Sequence, residues 1–174
     1  MYEKHENEQY FFDPPTLQHL AGFVEQFSRP CCLCTPLLGQ ELEQRRVPVT
    51  TLDIDERFVH LKSFRHYDIY RPAWLGEAFD LIICDPPFFK VSLAQLFKAI
   101  RLLSCHNYEQ PLLICYLSRR AANVTGTFAC FNLEPTGYRP NYQTVQRVER
   151  NEIEIFGNLG NALHHNLATS REAL

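Results

Sequence analysis

Apolar and polar positions fall in short blocks along this chain, and the blocks switch repeatedly between a helical and a strand-like period. Asp13-Pro14-Pro15 predicts a helix start, since Asp is a good N-cap and proline fits the first turn, where its missing N–H costs nothing. Leu17, Leu20, Ala21 and Val24 then stand at i, i+3, i+4 and i+7 as one apolar face, and Ser28-Arg29-Pro30 predicts the stop. Residues 31–34 read as a short buried strand. Thr35-Pro36 follows as the N-cap and first turn of a helix running to about Arg46. Residues 49–54 form a second strand, rich in β-branched side chains. Asp55-Glu56-Arg57-Phe58 opens a short helix, and residues 64–67 give a third strand ending at Asp68.

Residues 79–84 are the clearest buried strand, apolar on both faces as a central parallel strand is. The strand leads straight into Asp85-Pro86-Pro87-Phe88. Residues 92–103 predict an amphipathic helix with Leu93, Leu96, Phe97 and Ile100 on one side. Residues 112–117, 128–133 and 153–156 complete a set of seven strands, and residues 158–174 read as a polar tail that frays. Alternating strands and helices predict an α/β fold with an open, doubly wound sheet, mostly parallel with an antiparallel closing strand. Ligands of such sheets bind beyond the carboxyl ends of the strands. The acids Asp53, Asp55, Asp68 and Asp85 fall at that edge.

Length and composition narrow the classes. The chain has 174 residues, 45% apolar and 21% charged, which fits one domain over residues 1–157 plus the tail and disfavours disorder, collagen and coiled coil. No apolar run approaches a membrane span, and the polar N-terminus predicts no signal peptide. The net charge is −3, with 13 Arg and 4 Lys, unlike the basic balance of most nucleic-acid binders. Seven Cys, an odd number, several within apolar runs, predict reduced buried thiols and a cytoplasmic protein.

The candidate chemistry begins at Asp85-Pro86-Pro87-Phe88. Prolines have no N–H and hold the preceding residues extended. The segment therefore presents two acceptors, the Asp85 carboxylate and the Pro86 carbonyl, beside the flat wall of Phe88. That set suits an amino group on a planar ring, which would stack on the aromatic face. A rigid strand-capping turn is the plainer alternative. Asp53 stands where an acid after the second strand grips ribose hydroxyls, with a turn or cap as its alternative, and Asp55 is the better cap. Asp68 is a candidate acceptor for an adenine amino group, or a strand-end turn.

Gln9-Tyr10-Phe11-Phe12-Asp13, Leu52-Asp53-Ile54-Asp55-Glu56-Arg57-Phe58 and the run from Phe79 to Phe88 together resemble one family. It is the N6-adenine methyltransferase-like family of small S-adenosylmethionine-dependent methyltransferases. Within it, the chain resembles both the large-subunit rRNA adenine-N6 methyltransferase domain and the lysine methyltransferase of elongation factor alpha. The resemblance spans about residues 9 to 157. It implies a Rossmann-like class I methyltransferase sheet and S-adenosyl-L-methionine as cofactor. It implies Gln9, Tyr10 and Phe11 over that cofactor, Thr35 and Pro36 at its turn, Asp53 on the ribose, and Tyr67 and Asp68 by the adenine. Asp85, Pro86, Pro87 and Phe88 would hold the acceptor amine. The chain departs from the glycine-rich methyltransferase turn: Cys34-Thr35-Pro36-Leu37-Leu38-Gly39 has one glycine.

The leading expectation is methyl transfer to adenine N6 in RNA or DNA. The alternatives are a protein lysine and, in a different class, an inactive scaffold that binds cofactor or nucleotide. Lysine must lose a proton before it attacks, and an ionised Asp85 would oppose that loss. No metal site is expected, because Cys31-Cys32-x-Cys34 has no second ligand pair at zinc spacing and His164-His165 has no partners. Arg119, Arg120, Arg139, Arg147 and Arg150 are either a basic rim or solvated arginines. Residues 135–142, rich in Pro and Tyr, are either a base-stacking platform or a connector. With little chain outside the sheet, target recognition would fall to these short pieces, to a partner protein or to a homodimer.

Overall fold

A computed structural model describes residues 1–169 of the chain. Seven strands form one sheet in the order β3-β2-β1-β4-β5-β7-β6. They are β1 (Pro30–Leu33), β2 (Thr50–Asp53), β3 (Phe64–His66), β4 (Leu81–Cys84), β5 (Leu112–Leu117), β6 (Glu134–Pro135) and β7 (Ile153–Gly157). The first five are parallel, and β7 is antiparallel to both β5 and β6. The doubly wound, mostly parallel sheet with an antiparallel closing region is thus as expected. β1, β4 and β5 are buried along their whole length, which is why their sequences are unbroken apolar runs.

Among the described residues, five α-helices accompany the sheet: α1 (Pro14–Val24), α2 (Pro36–Gln44), α3 (Leu93–Leu103), α4 (Ala121–Thr127) and α5 (Asn161–Thr169). Asp13 caps α1 by accepting from the Thr16 N–H, and Ser92 caps α3 by accepting from the Gln95 N–H. Thr35 occupies the N-cap position of α2 but makes no side-chain capping bond.

Two expectations need correction. Residues 128–133 are not a strand. Phe128 and Phe131, three residues apart, both pack on Phe97 across a 3-10 turn (Ala129–Phe131) that ends at Asn132 in the left-handed region. The sixth strand is only Glu134–Pro135. The tail is also more than polar chain: α5 buries Leu167, whose carbonyl lies 2.7 Å from a ring nitrogen of His19 on α1, and His164 Nε2 accepts from the Leu159 N–H. Residues 170–174 of the expected fraying tail lie outside the described residues.

Candidate active site

The parallel strands end at a common edge, and a cavity of about 280 Å³ opens there. Four chain segments wall it. These are residues 7–12 ahead of α1, residues 34–38 after β1, residues 53–55 after β2, and residues 85–89 after β4; Leu117, Tyr142, Val145, Arg150, Asn151 and Ile153 close the far side. Of the expected site residues, Gln9, Tyr10, Phe11, Thr35, Pro36, Asp53, Asp85, Pro86, Pro87 and Phe88 all meet at this cavity.

Tyr67 and Asp68 do not reach it. β3 stops at His66, one residue short of the predicted strand. Tyr67 turns into the core with its hydroxyl against the Ala73 backbone, and Asp68 accepts the Tyr70 N–H in a local turn. An adenine contact at these two residues is therefore not supported.

The turn after β1 explains how a glycine-poor sequence still makes this corner. At the spacing G-x-G-x-x-G, the three positions are Cys34, Pro36 and Gly39. Cys34 adopts φ +57°, the left-handed conformation that the first glycine supplies elsewhere, at a cost of about 1–3 kcal/mol. Gly39 keeps the third role: a Cβ there would stand 2.1 Å from Thr51 Oγ1, so only glycine lets α2 lie against β2. Pro36, at the second position, puts a side chain at the cavity where a glycine would leave bare backbone.

The half of the cavity next to β2 is strongly polar. Burial pushes the Asp53 carboxyl up to about 6, partly offset by hydrogen bonds from the Asp55 and Ile54 N–H groups. Asp55 behaves oppositely. Burial opposes its charge, but hydrogen bonds from Arg57 and Gln9 outweigh burial and hold it well below the usual carboxylate range. Arg57 Nε donates to both Asp55 oxygens at 3.0 and 2.9 Å, and its Nη2 reaches Asp55 at 2.6 Å and Gln9 Oε1 at 2.6 Å. Gln9 Nε2 in turn donates to Asp55 at 2.9 Å. This network ties the N-terminal segment across the cavity. Glu8 ties it to the other wall by accepting the Phe89 and Lys90 N–H groups, and Glu3 accepts the Phe11 N–H.

The half next to β4 is mainly apolar, with Arg150 and Asn151 as polar members of its far side. Phe88 packs edge-on against Tyr116, and Leu117, Val145 and Ile153 line the wall beyond it. Asp85 sits here, and Tyr142 Oη donates to Asp85 Oδ1 at 3.0 Å. Burial pushes the Asp85 carboxyl up to about 8 despite that bond. The sequence singles out the loop that carries Tyr142 but gives no sign of its bond to Asp85, and it marks Asp55 only as a cap. Asp55 is that cap, accepting the Arg57 N–H, and is also the centre of the network.

The loop over residues 135–142 is not an exposed platform. Tyr138 is buried and stacked on His19 at 4.6 Å, and the Tyr142 phenol points inward to Asp85. The arginines divide. Arg119 donates to the Arg150 carbonyl, Arg147 to the Arg139 carbonyl, Arg139 pairs with Glu152, and Arg120 lies over the Tyr116 ring. Among the five, Arg150 lines the cavity.

The family model described as "Probable N6-adenine methyltransferase" matches residues 3–160, a span that includes every wall of this cavity. The chain belongs to that family. The protein-lysine N-methyltransferase M142.8 of Caenorhabditis elegans is 29% identical over 157 residues, covering 72% of this chain and 68% of that protein. The fold matches solved structures as well. Thermoplasma acidophilum 1320 aligns with a TM-score of 0.55 at 18% identity, over 90% of this chain and 97% of that one. The magnesium protoporphyrin IX methyltransferase of Synechocystis, solved with S-adenosylmethionine, aligns with a TM-score of 0.55 at 15% identity, over 82% and 78%.

The family is one of S-adenosylmethionine-dependent methyltransferases, and the residues here fit that cofactor. Asp53 offers an acceptor for ribose hydroxyls beside the aromatic walls of Tyr10 and Phe11. Among the described residues, Thr35 Oγ1 is buried at the α2 N-terminus with the Cys32 thiol as a weak partner and no nitrogen or oxygen bonded to it, so it has capacity left for a ligand. The first-turn N–H groups of α2 add donors at the positive end of the helix.

Proposed function

We propose that this methyltransferase acts on a protein lysine. The observation that carries the reading is the setting of Asp85: a carboxyl in an apolar half-cavity, pushed up to about 8 by burial. A strongly acidic carboxylate would hold a lysine ammonium in its charged, unreactive form. One raised this far accepts a proton more readily, while the same apolar walls disfavour the ammonium. In its ionised form Asp85 therefore takes the proton that the amine must lose and becomes the neutral acid that its buried site favours, which offsets the expected opposition to deprotonation. Leu117, Val145, Ile153 and Phe88 offer an apolar wall to the aliphatic lysine stem. The lysine methyltransferase relative and the net charge of −3 support the same substrate.

When bound, S-adenosylmethionine supplies an activated methyl group on a sulfonium sulfur. The remaining work belongs to the chain. Asp53 and the N-terminal segment hold the donor, Asp85 and the Pro86 carbonyl hold the amine, and the apolar walls exclude water. Alignment of this kind accounts for up to about 7–11 kcal/mol of barrier reduction.

A second reading, adenine N6 in a nucleic acid, is favoured by one observation. Two acceptors beside the Phe88 ring also suit the amino group of a stacked base, and the family model carries that name. One experiment separates the two: transfer of a tritiated methyl group into cell extract, treated afterwards with nuclease or with protease. We expect protease to release the label and nuclease to leave it. The reverse result establishes the adenine reading, and no incorporation with either establishes a scaffold.

A further inference from the structure

The four acids at the carboxyl edge of the sheet differ in one backbone respect. Asp53 Oδ1 accepts the N–H two residues on, from Asp55, at 2.8 Å. Asp55 Oδ1 accepts from the Arg57 N–H at 3.2 Å, and Asp68 Oδ1 from the Tyr70 N–H at 2.8 Å. This is the ordinary way in which an aspartate at a turn fixes its own carboxyl. Asp85 cannot use it, because the residues after it are Pro86 and Pro87 and neither has an N–H. The terminal torsion of an aspartate is soft, so a carboxyl without a donor samples a broad range of orientations.

Tyr142 supplies the missing donor from 57 residues away. Its placement is fixed by backbone pairing rather than by the phenol. Tyr142 pairs with Phe12 as an isolated antiparallel bridge, the Asp13 N–H donates to the Asn141 carbonyl, and the Gln143 N–H donates to the Phe11 carbonyl. The Asn141 N–H donates to Thr16 Oγ1, and the Phe12 and Tyr142 rings pack at 5.3 Å. The tyrosine is thus held by the same segment that walls the cofactor half of the cavity.

We propose that Tyr142 is a positioning residue for the acceptor carboxyl: its phenol occupies Asp85 Oδ1 and leaves Oδ2 for the substrate amine. The assignment rests on Asp85 being the amine-holding residue of the proposed function. The donor bond also favours the ionised carboxyl that receives the proton of the amine. The other groups facing Asp85 are the thiols of Cys34 after β1, Cys84 on β4 and Cys115 on β5. All three are held above their usual range, as is the Tyr142 phenol, so they stay neutral while Asp85 titrates. Asp53, which also faces Cys34, titrates lower, at about 6, and serves as an internal reference.

The test uses the full chain without substrate, with its aspartate carboxyl carbons labelled and titrated by NMR. Tyr142→Phe keeps the ring and removes the donor. We expect the Asp85 inflection to rise by about one pH unit while that of Asp53 stays in place. We expect kcat to fall about tenfold or more, with S-adenosylmethionine affinity changed by less than about threefold. Thr16→Val loosens the loop but keeps the phenol, and the Asp85 inflection is expected to stay at the wild-type value. An unmoved Asp85 in Tyr142→Phe, or an equal shift in Thr16→Val, overturns the proposal. A wild-type protein that titrates as expected but methylates no protein overturns the lysine reading and leaves the role of Tyr142 supported.

Discussion

The ends of β2 and β4 present the same residue type to one cavity in opposite electrostatic settings. After β2, Asp55 is enclosed by Arg57, Gln9 and the more distant Lys4 and stays ionised far into acid. After β4, Asp85 has apolar walls, two prolines and a single phenol, and retains a proton up to about pH 8. Asp53 lies between them in behaviour, at about 6. The difference shows how one sheet edge divides its labour. The charged, cross-linked half suits a polar cofactor rich in hydroxyls. The half that disfavours charge suits an amine that must become neutral before it reacts.

The sharpest way to break this comparison is to remove one acid from each half. Asp85→Ala is expected to lower methyl transfer by about a hundredfold or more while S-adenosylmethionine affinity, read by calorimetry, stays nearly constant. A variant that keeps its activity sinks the role given to Asp85. Asp53→Ala is expected to do the reverse and weaken the cofactor by about 1–3 kcal/mol, or about 5–150-fold in Kd. An unchanged Kd moves the ribose contact to another residue and dissolves the division between the halves.

The sequence made these two acids visible because each ends a run that a parallel strand requires. Residues 81–84 are buried on both faces, so their apolar pattern is unbroken and the next polar residue, Asp85, marks the edge. The same logic failed one strand further out. β3 has exposed residues and a weak pattern with no firm end, so nothing local shows that Tyr67 and Asp68 turn away from the cavity. Residues 128–133 misled for another reason. Phe128 and Phe131 are fully buried, but at a spacing of three, which a 3-10 turn satisfies as well as a buried strand does. α4 left no signal, since Val124 is its one buried residue and Asn, Thr and Gly are weak helix formers. The loop that carries Tyr142 stands out in the sequence, but its partner does not. The value of Tyr142 lies in a contact across 57 residues that no local period encodes.

Arg57→Ala tests whether the charged half owes its order to the network. Arg57 is partly exposed, so its loss is expected to cost about 1 kcal/mol or less, seen as up to about fivefold weaker cofactor binding. Amide exchange should separate the two walls, with faster exchange over residues 3–12 and unchanged exchange at Asp85 and Phe88, which flank the two prolines. Equal acceleration in both would mean that the halves are not independent.

The last contrast is in stability, and its sign distinguishes the halves. Asp85 has a folded-state value of about 8 against an ordinary value of 3.8. Between those values the folded chain binds more protons at this group than the unfolded chain does. Its contribution to stability is therefore full below about pH 4 and is lost as pH rises towards 8. Asp85→Asn is neutral at every pH, so it should match the wild type near pH 4 and melt higher at pH 8. The gain is about 2–4 °C for each kcal/mol relieved in a chain of this size. Asp55 has the opposite sign: its lowered folded value gives stability that is present above the ordinary pKa and lost as pH falls. The acid limb of the melting curve should therefore survive in Asp85→Asn, while the alkaline decline flattens. Melting curves that run parallel from pH 4 to pH 8 would show that the β4 half does not hold its carboxyl in the protonated form, and the contrast between the two strand ends would fail with it.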